Sequence, residues 1–149
     1  MRTFIGNKEE LSEEIKLPYI LFNLGQNTYA INYENIVYID MFESITSRVK
    51  VFSSQNMMTL NDKIISLINL RKLFNLLPLE NIKNQMIIVV SNNNREIGLI
   101  VDEVLGMDFL KDEMIYTNGS GYVEAIYKPV NKELIDNNLI LKLNLSKII

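Results

Sequence analysis

Tyr19-Ile-Leu-Phe-Asn-Leu-Gly-Gln-Asn-Thr-Tyr-Ala-Ile31 alternates with the period of two that a strand with distinct faces requires. Ile20, Phe22 and Leu24 share one face, Gly25-Gln26-Asn27 reads as a turn, and Tyr29 and Ile31 resume on the far side. This is a β-hairpin. Moving outward, Asn35 to Phe42 is apolar on both faces: Val37, Ile39 and Met41 point one way, and Ile36, Tyr38 and Phe42 the other, with Asp40 among them. Further strands are expected at Lys63–Ile68 and Met86–Val90. Asn92-Asn93-Asn94 then reads as a turn, and Ile97, Leu99 and Val101 as the return strand. Phe109–Tyr116, Tyr122–Tyr127 and Leu139–Leu143 complete the strand candidates.

One internal helix interrupts this pattern. Asn69 is a suitable N-cap, Leu70, Leu73, Phe74 and Leu77 follow the i, i+3, i+4, i+7 spacing, and Pro78 stops the run. A last helical turn is expected at Leu145–Ile149. About nine short strands between turn signals make the chain mainly β, in a closed or nearly closed barrel arrangement, and the helix at Leu70–Leu77 is where it could divide into two lobes. Residues 17–149 read as one domain. Residues 1–16 read as a polar leader, either a frayed tail or a short docked helix with Leu11 and Ile15 on one face.

Composition narrows the chemistry. The 149 residues are 48% hydrophobic and 22% charged, a globular balance, and no apolar run reaches the roughly 18 residues of a spanning helix. The leader has four glutamates and no apolar core, so neither a secretory signal nor direct membrane insertion is expected, and the location is read as cytoplasmic. A net charge of −3 argues against nucleic acid, whose binders carry a basic footprint. Cysteine and histidine are both absent, which removes disulfides, thiolate metal sites, a thiol nucleophile and the commonest general base and metal ligand.

The six glycines are scattered singly, so no phosphate cradle forms. The best carboxylate pairs, Asp102-Glu103 and Asp112-Glu113, are adjacent in sequence and would point to opposite faces of a strand. The Asn-x-Ser matches at Asn118 and Asn144 are noise in a chain so rich in asparagine. The reading is therefore no enzyme, no cofactor and no metal.

Four blocks in order resemble the CheW family of chemotaxis coupling proteins. The first runs from Tyr19 to Gly25, then Tyr29-Ala-Ile-Asn32 and Ile36-Val-Tyr-Ile39. Lys63 to Phe74 is similar to the family's strand entering an aspartate-leucine-arginine helix start. Met86 to Val90 with Ile97 to Val104 resembles its glycine and valine-aspartate-x-valine hairpin. Leu139–Leu143 with Leu145-Ser-Lys-Ile148 matches its close. The resemblance spans about residues 18–149. It implies two SH3-like β-barrels on a shared apolar core. It also implies a non-catalytic adaptor holding the regulatory domain of a CheA-type histidine kinase on one surface and a chemoreceptor's cytoplasmic tip on another.

The candidate partner-binding residues are Ile36, Tyr38, Phe42, Met57, Asn61 and Asp62. The Ile36, Tyr38 and Phe42 stripe lacks the polar face a half-buried strand should show, so it is either a contact surface or buried on both sides. The resemblance favours contact, since it puts the positions of Ile36 and Tyr38 at the family's binding surface. Met57, beside Met58, serves either as an adaptable contact or as core filler. Gly98 is expected to serve packing between strands. In Thr59-Leu-Asn-Asp62, Asn61 and Asp62 stand where the family has arginine and glycine; Tyr38 stands for a frequent glutamate and Asn69 for an aspartate. Those departures leave room for a divergent scaffold of another signalling complex. A small ligand- or nucleic-acid-binding β-barrel is the reading from a different class.

Overall fold

The structure is a computed structural model that describes residues 18–42, 49–52, 55–60, 62–81, 84–109, 114–117, 121–128 and 139–149. The leader, Asp112-Glu113, Asn118 and Asn61 lie outside the described residues.

Twelve strands form among the described residues: β1 Tyr19–Leu24, β2 Asn27–Asn32, β3 Ile36–Met41, β4 Val49–Phe52, β5 Gln55–Leu60, β6 Lys63–Asn69, β7 Met86–Asn92, β8 Arg95–Val101, β9 Glu103–Asp108, β10 Met114–Thr117, β11 Val123–Tyr127 and β12 Ile140–Leu143. They make two six-stranded sheets, one ordered β10-β11-β12-β2-β1-β9 and the other β3-β7-β8-β6-β5-β4. Each sheet joins two antiparallel three-strand ribbons through one parallel pair, β12 with β2 and β6 with β8. The second sheet is built from a continuous stretch of chain. The first needs strands from both sides of that stretch.

Three apolar clusters explain why so many strands are hydrophobic on both faces. The largest lies between the sheets and joins Ile20, Phe22, Leu24, Tyr29 and Ile31 to Ile88, Val90, Ile97, Leu99 and Val101. A second fills the second sheet's other face with Met58, Ile65, Leu67, Ile87, Val89 and Ile100. A smaller third, Leu21, Ala30 and Ile140, backs the first sheet. Successive residues of β7 therefore enter different cores. Its unbroken run of four buried residues, Ile87 to Val90, follows from that. The architecture is mainly β: two SH3-like barrel lobes on a shared core, with two short helices.

The turns follow local chemistry. Gly25 opens the β1–β2 turn at φ +64°, the sign that a two-residue turn with glycine first demands. Asn93 and Asn94 carry φ of +53° and +64° between β7 and β8, and asparagine tolerates that region better than most residues. A Cβ on Gly98 would sit 2.6 Å from Leu67 Cδ2, so glycine there lets β8 pack beside β6.

Helix α1 spans Leu70–Leu73, shorter than the run to Leu77 expected from sequence. Asn69 caps it as expected, its side chain accepting from the Arg71 and Lys72 amides. Asn75 at φ +59° ends the turn before Pro78 is reached, and Leu77 stands 83% exposed. Helix α2, Leu145–Ile148, forms where expected. Of the expected strand Phe109–Tyr116, β10 holds Met114–Tyr116, Phe109 lies just beyond β9 and residues 110–113 lie outside the described residues, while β4, β5 and β9 were not foreseen. An aromatic ladder of Phe22, Tyr29, Phe74 and Tyr122, with centroids 5.4–5.6 Å apart, ties the β1–β2 hairpin to the end of α1.

Candidate functional site

Strand β3 lies at an edge of the second sheet, and a bulge breaks its alternation. Ile36 faces Val90 and Tyr38 faces the adjacent Val89, so Val37 is the extra residue. Ile36 and Ile39 consequently pack on the inter-sheet core, whereas Tyr38 and Phe42 pack on the second lobe's core. The expected single stripe of Ile36, Tyr38 and Phe42 is thus corrected to two half-buried sets serving different cores. Strict period-two counting carries no sign of an inserted residue. Val37 and Met41, at 44% and 41% exposure, are the apolar residues this strand shows to solvent. The Tyr38 hydroxyl donates to Asp40 Oδ2 at 2.6 Å, and the Phe42 amide donates to the Gln85 carbonyl at 2.9 Å.

Of the other candidates, Met57 is half-buried, while its neighbour Met58 is buried within the second lobe. Asp62 is exposed at φ +63°, in the turn between β5 and β6. The structure brings Tyr38, Phe42 and Met58 to one core, while Ile36 goes to another.

Sequence reasoning did not single out the best-formed polar node. Arg71, on α1, donates from Nε to Asp102 Oδ1 and from Nη2 to Asp102 Oδ2, both at 2.7 Å, with side chains only 14% and 13% exposed. Arg71 Nη1 also donates to the Leu77 carbonyl at 2.5 Å, and the Gly25 amide donates to Asp102 Oδ2 at 2.8 Å. The hydrogen bond to Asp102 raises the Arg71 pKa further above its ordinary value. This fork joins α1, the β8–β9 corner and the β1–β2 turn. Its signal in the sequence was an arginine just inside a helix start and an aspartate closing a buried strand. Glu103 turns elsewhere and accepts from Asn23 Nδ2 at 3.2 Å, so the two adjacent carboxylates have separate partners.

A second node lies on the first sheet. Lys142 Nζ sits 2.9 Å from Glu124 Oε2 and 5.5 Å from the Tyr19 ring centroid. Burial pulls the Lys142 ammonium down, but the hydrogen bond to Glu124 and the neighbouring charges outweigh it, so the net shift is upward. Burial raises the Tyr127 hydroxyl beside it. No group of three or more metal-ligating side chains occurs among the described residues. No described helix is long and apolar enough to cross a membrane.

Fold and polar nodes together define a class: a double-barrel β module whose ion pairs brace the backbone around a shared core. Residues 18–149 match the family model described as CheW-like domain. The chain belongs to the CheW-like domain family. A curated relative, chemotaxis protein CheA of Borreliella burgdorferi, is 29% identical over 125 residues; the match covers 75% of this chain and 14% of that relative. Among solved structures, the scaffolding protein TtCheW of Thermoanaerobacter tengcongensis superposes with a TM-score of 0.68 at 20% identity, covering 87% of this chain and 90% of that one.

Proposed function

We propose that this chain is a non-catalytic adaptor of bacterial chemotaxis, working in the cytoplasm to couple chemoreceptor tips to the regulatory domain of a CheA-type histidine kinase. Membership of the CheW-like domain family across residues 18–149 carries this reading. We assign partner contact to the exposed flank of β3, where Val37 and Met41 project beside Tyr38 and Phe42, together with Met57 on β5 and with Asn61 and Asp62, which follow that strand. An apolar pair on an open strand edge offers the kind of desolvated anchor that dominates protein interfaces.

The test is direct binding of the purified chain to a CheA-type regulatory domain and to a receptor-tip fragment. Val37→Asp combined with Met41→Asp should weaken one of the two by about tenfold or more while the melting temperature stays near its original value. Binding of neither partner by the folded chain would refute the adaptor reading. Unchanged affinity of the double variant for both would refute only the surface.

The departures at Asn61 and Asp62 favour a co-adapted partner over a generic one. A neutral side chain stands where the family has a guanidinium fork, and a carboxylate where it has glycine. Asn61→Arg with Asp62→Gly should therefore raise affinity for a kinase from another species and lower it for the native one. Tight binding of the unmodified chain to the foreign kinase would show that this turn makes no contact.

A further inference from the structure

Between β6, α1, the start of β8 and α2 runs a trough, open to solvent, of about 530 Å³. Its walls are apolar, with Ile68, Leu73, Ile97 and Ile148 contributing, and its rim carries Lys72 and Arg95. Among the described residues no carboxylate side chain lines it, and Ile149 lies at its α2 end. Neither cation is in an ion pair among the described residues. On a chain of net charge −3, Lys72 and Arg95 thus set two cations, neither in an ion pair with a described residue, beside an apolar trough.

We propose that this trough docks an amphipathic peptide segment of a partner protein whose apolar stripe is flanked by carboxylates. The apolar walls would take two or three side chains spaced at i, i+3 and i+4, and the rim cations would pair with the flanking acids. A small ligand fits less well, because an open trough leaves much of it in water, whereas specific pockets bury most of a ligand's surface. A nucleic-acid strand would need stacking aromatics and a longer basic track, and the trough lining has neither. This inference stands apart from the β3 surface and concerns a further partner.

The experiment uses the full chain and a fluorescently labelled synthetic helix with leucines at i and i+4 flanked by glutamates. A matched peptide carries lysine for each glutamate. The acidic peptide should bind at least about tenfold tighter, and its advantage should shrink as salt rises. Lys72→Glu combined with Arg95→Glu should reverse the preference, a result that misfolding cannot produce. The proposal is overturned if neither peptide binds, if both bind alike, or if the charge-swapped chain keeps the original preference. It is also overturned if phosphatidylserine vesicles bind the chain more tightly than the acidic peptide and the same swap abolishes that binding, since the trough would then serve a lipid surface.

Discussion

Asp62 holds φ at +63°, a region in which most side chains crowd the following carbonyl but glycine, asparagine and aspartate are tolerated. That geometry accounts for the glycine expected there in the family and for aspartate as a workable substitute. Arg71 and Asp102 act at the same scale but through burial. Removing one member leaves the other charged and largely desolvated, so Arg71→Ala should cost about 2–4 kcal/mol of stability. Arg71→Lys should recover only part of that, because an ammonium cannot form the two parallel bonds. Chemical denaturation of the three proteins checks this; a lysine variant as stable as the original would show that the fork geometry is irrelevant. The pair was not legible in the sequence. Each residue sat in a motif block, but only the packing of α1 against the β8–β9 corner brings them together.

At the scale of elements, most strands announced themselves and the exceptions have physical causes. The β1–β2 hairpin was readable because its turn and its alternation agree. β9 was missed because it is an edge strand, with Glu103 and Met107 exposed and a bulge against β1 that disrupts any regular pattern. β3 was found, but its faces were misassigned because one inserted residue inverts everything beyond it. Helix α1 was overextended because Leu77 fits the helical spacing, while the termination at Asn75 is a matter of backbone sign that spacing does not encode. So short a helix depends heavily on its cap. Asn69→Ala should destabilise the protein by about 1 kcal/mol and Asn69→Asp should be nearly neutral, since asparagine and aspartate rank alike at this position. Melting curves of the two variants decide it, and equal losses would mean that the cap contributes through something other than its acceptor oxygen.

For the whole molecule, the mainly β architecture was legible in the succession of short strands, and the two lobes in the resemblance to the CheW family. The order of strands within the sheets was not, since the parallel joints link distant stretches of chain. The complete fold also has a characteristic pH response. Tyr29 and Tyr127 are raised by burial, and Lys142 is raised on balance by its partners. In each case the folded state holds its proton more firmly than the unfolded chain. The corresponding stability is therefore whole below about pH 10 and drains away as pH climbs through the folded values. With no histidine in the chain, no imidazole titrates between roughly pH 5 and 8. The melting temperature should stay level from about pH 7 to 9 and fall above about 10, and Tyr127→Phe should soften the fall. A decline already under way near neutrality would contradict this assignment.

The parallel joint of the first sheet sets Thr28 opposite Ile140, whereas β3 to β8 complete the second sheet from a single continuous stretch. A ribosome delivers those segments in order. The β1–β2 hairpin emerges before β3 to β8, yet β12, its neighbour across β2, follows only after them. The middle lobe can close in the interval while the β1–β2 hairpin still presents an unpaired edge and the apolar faces of Phe22 and Ile31. Slow translation of the later codons would prolong that exposure, so in the cell the yield of folded protein becomes a question of elongation speed and chaperone access as well as of final stability.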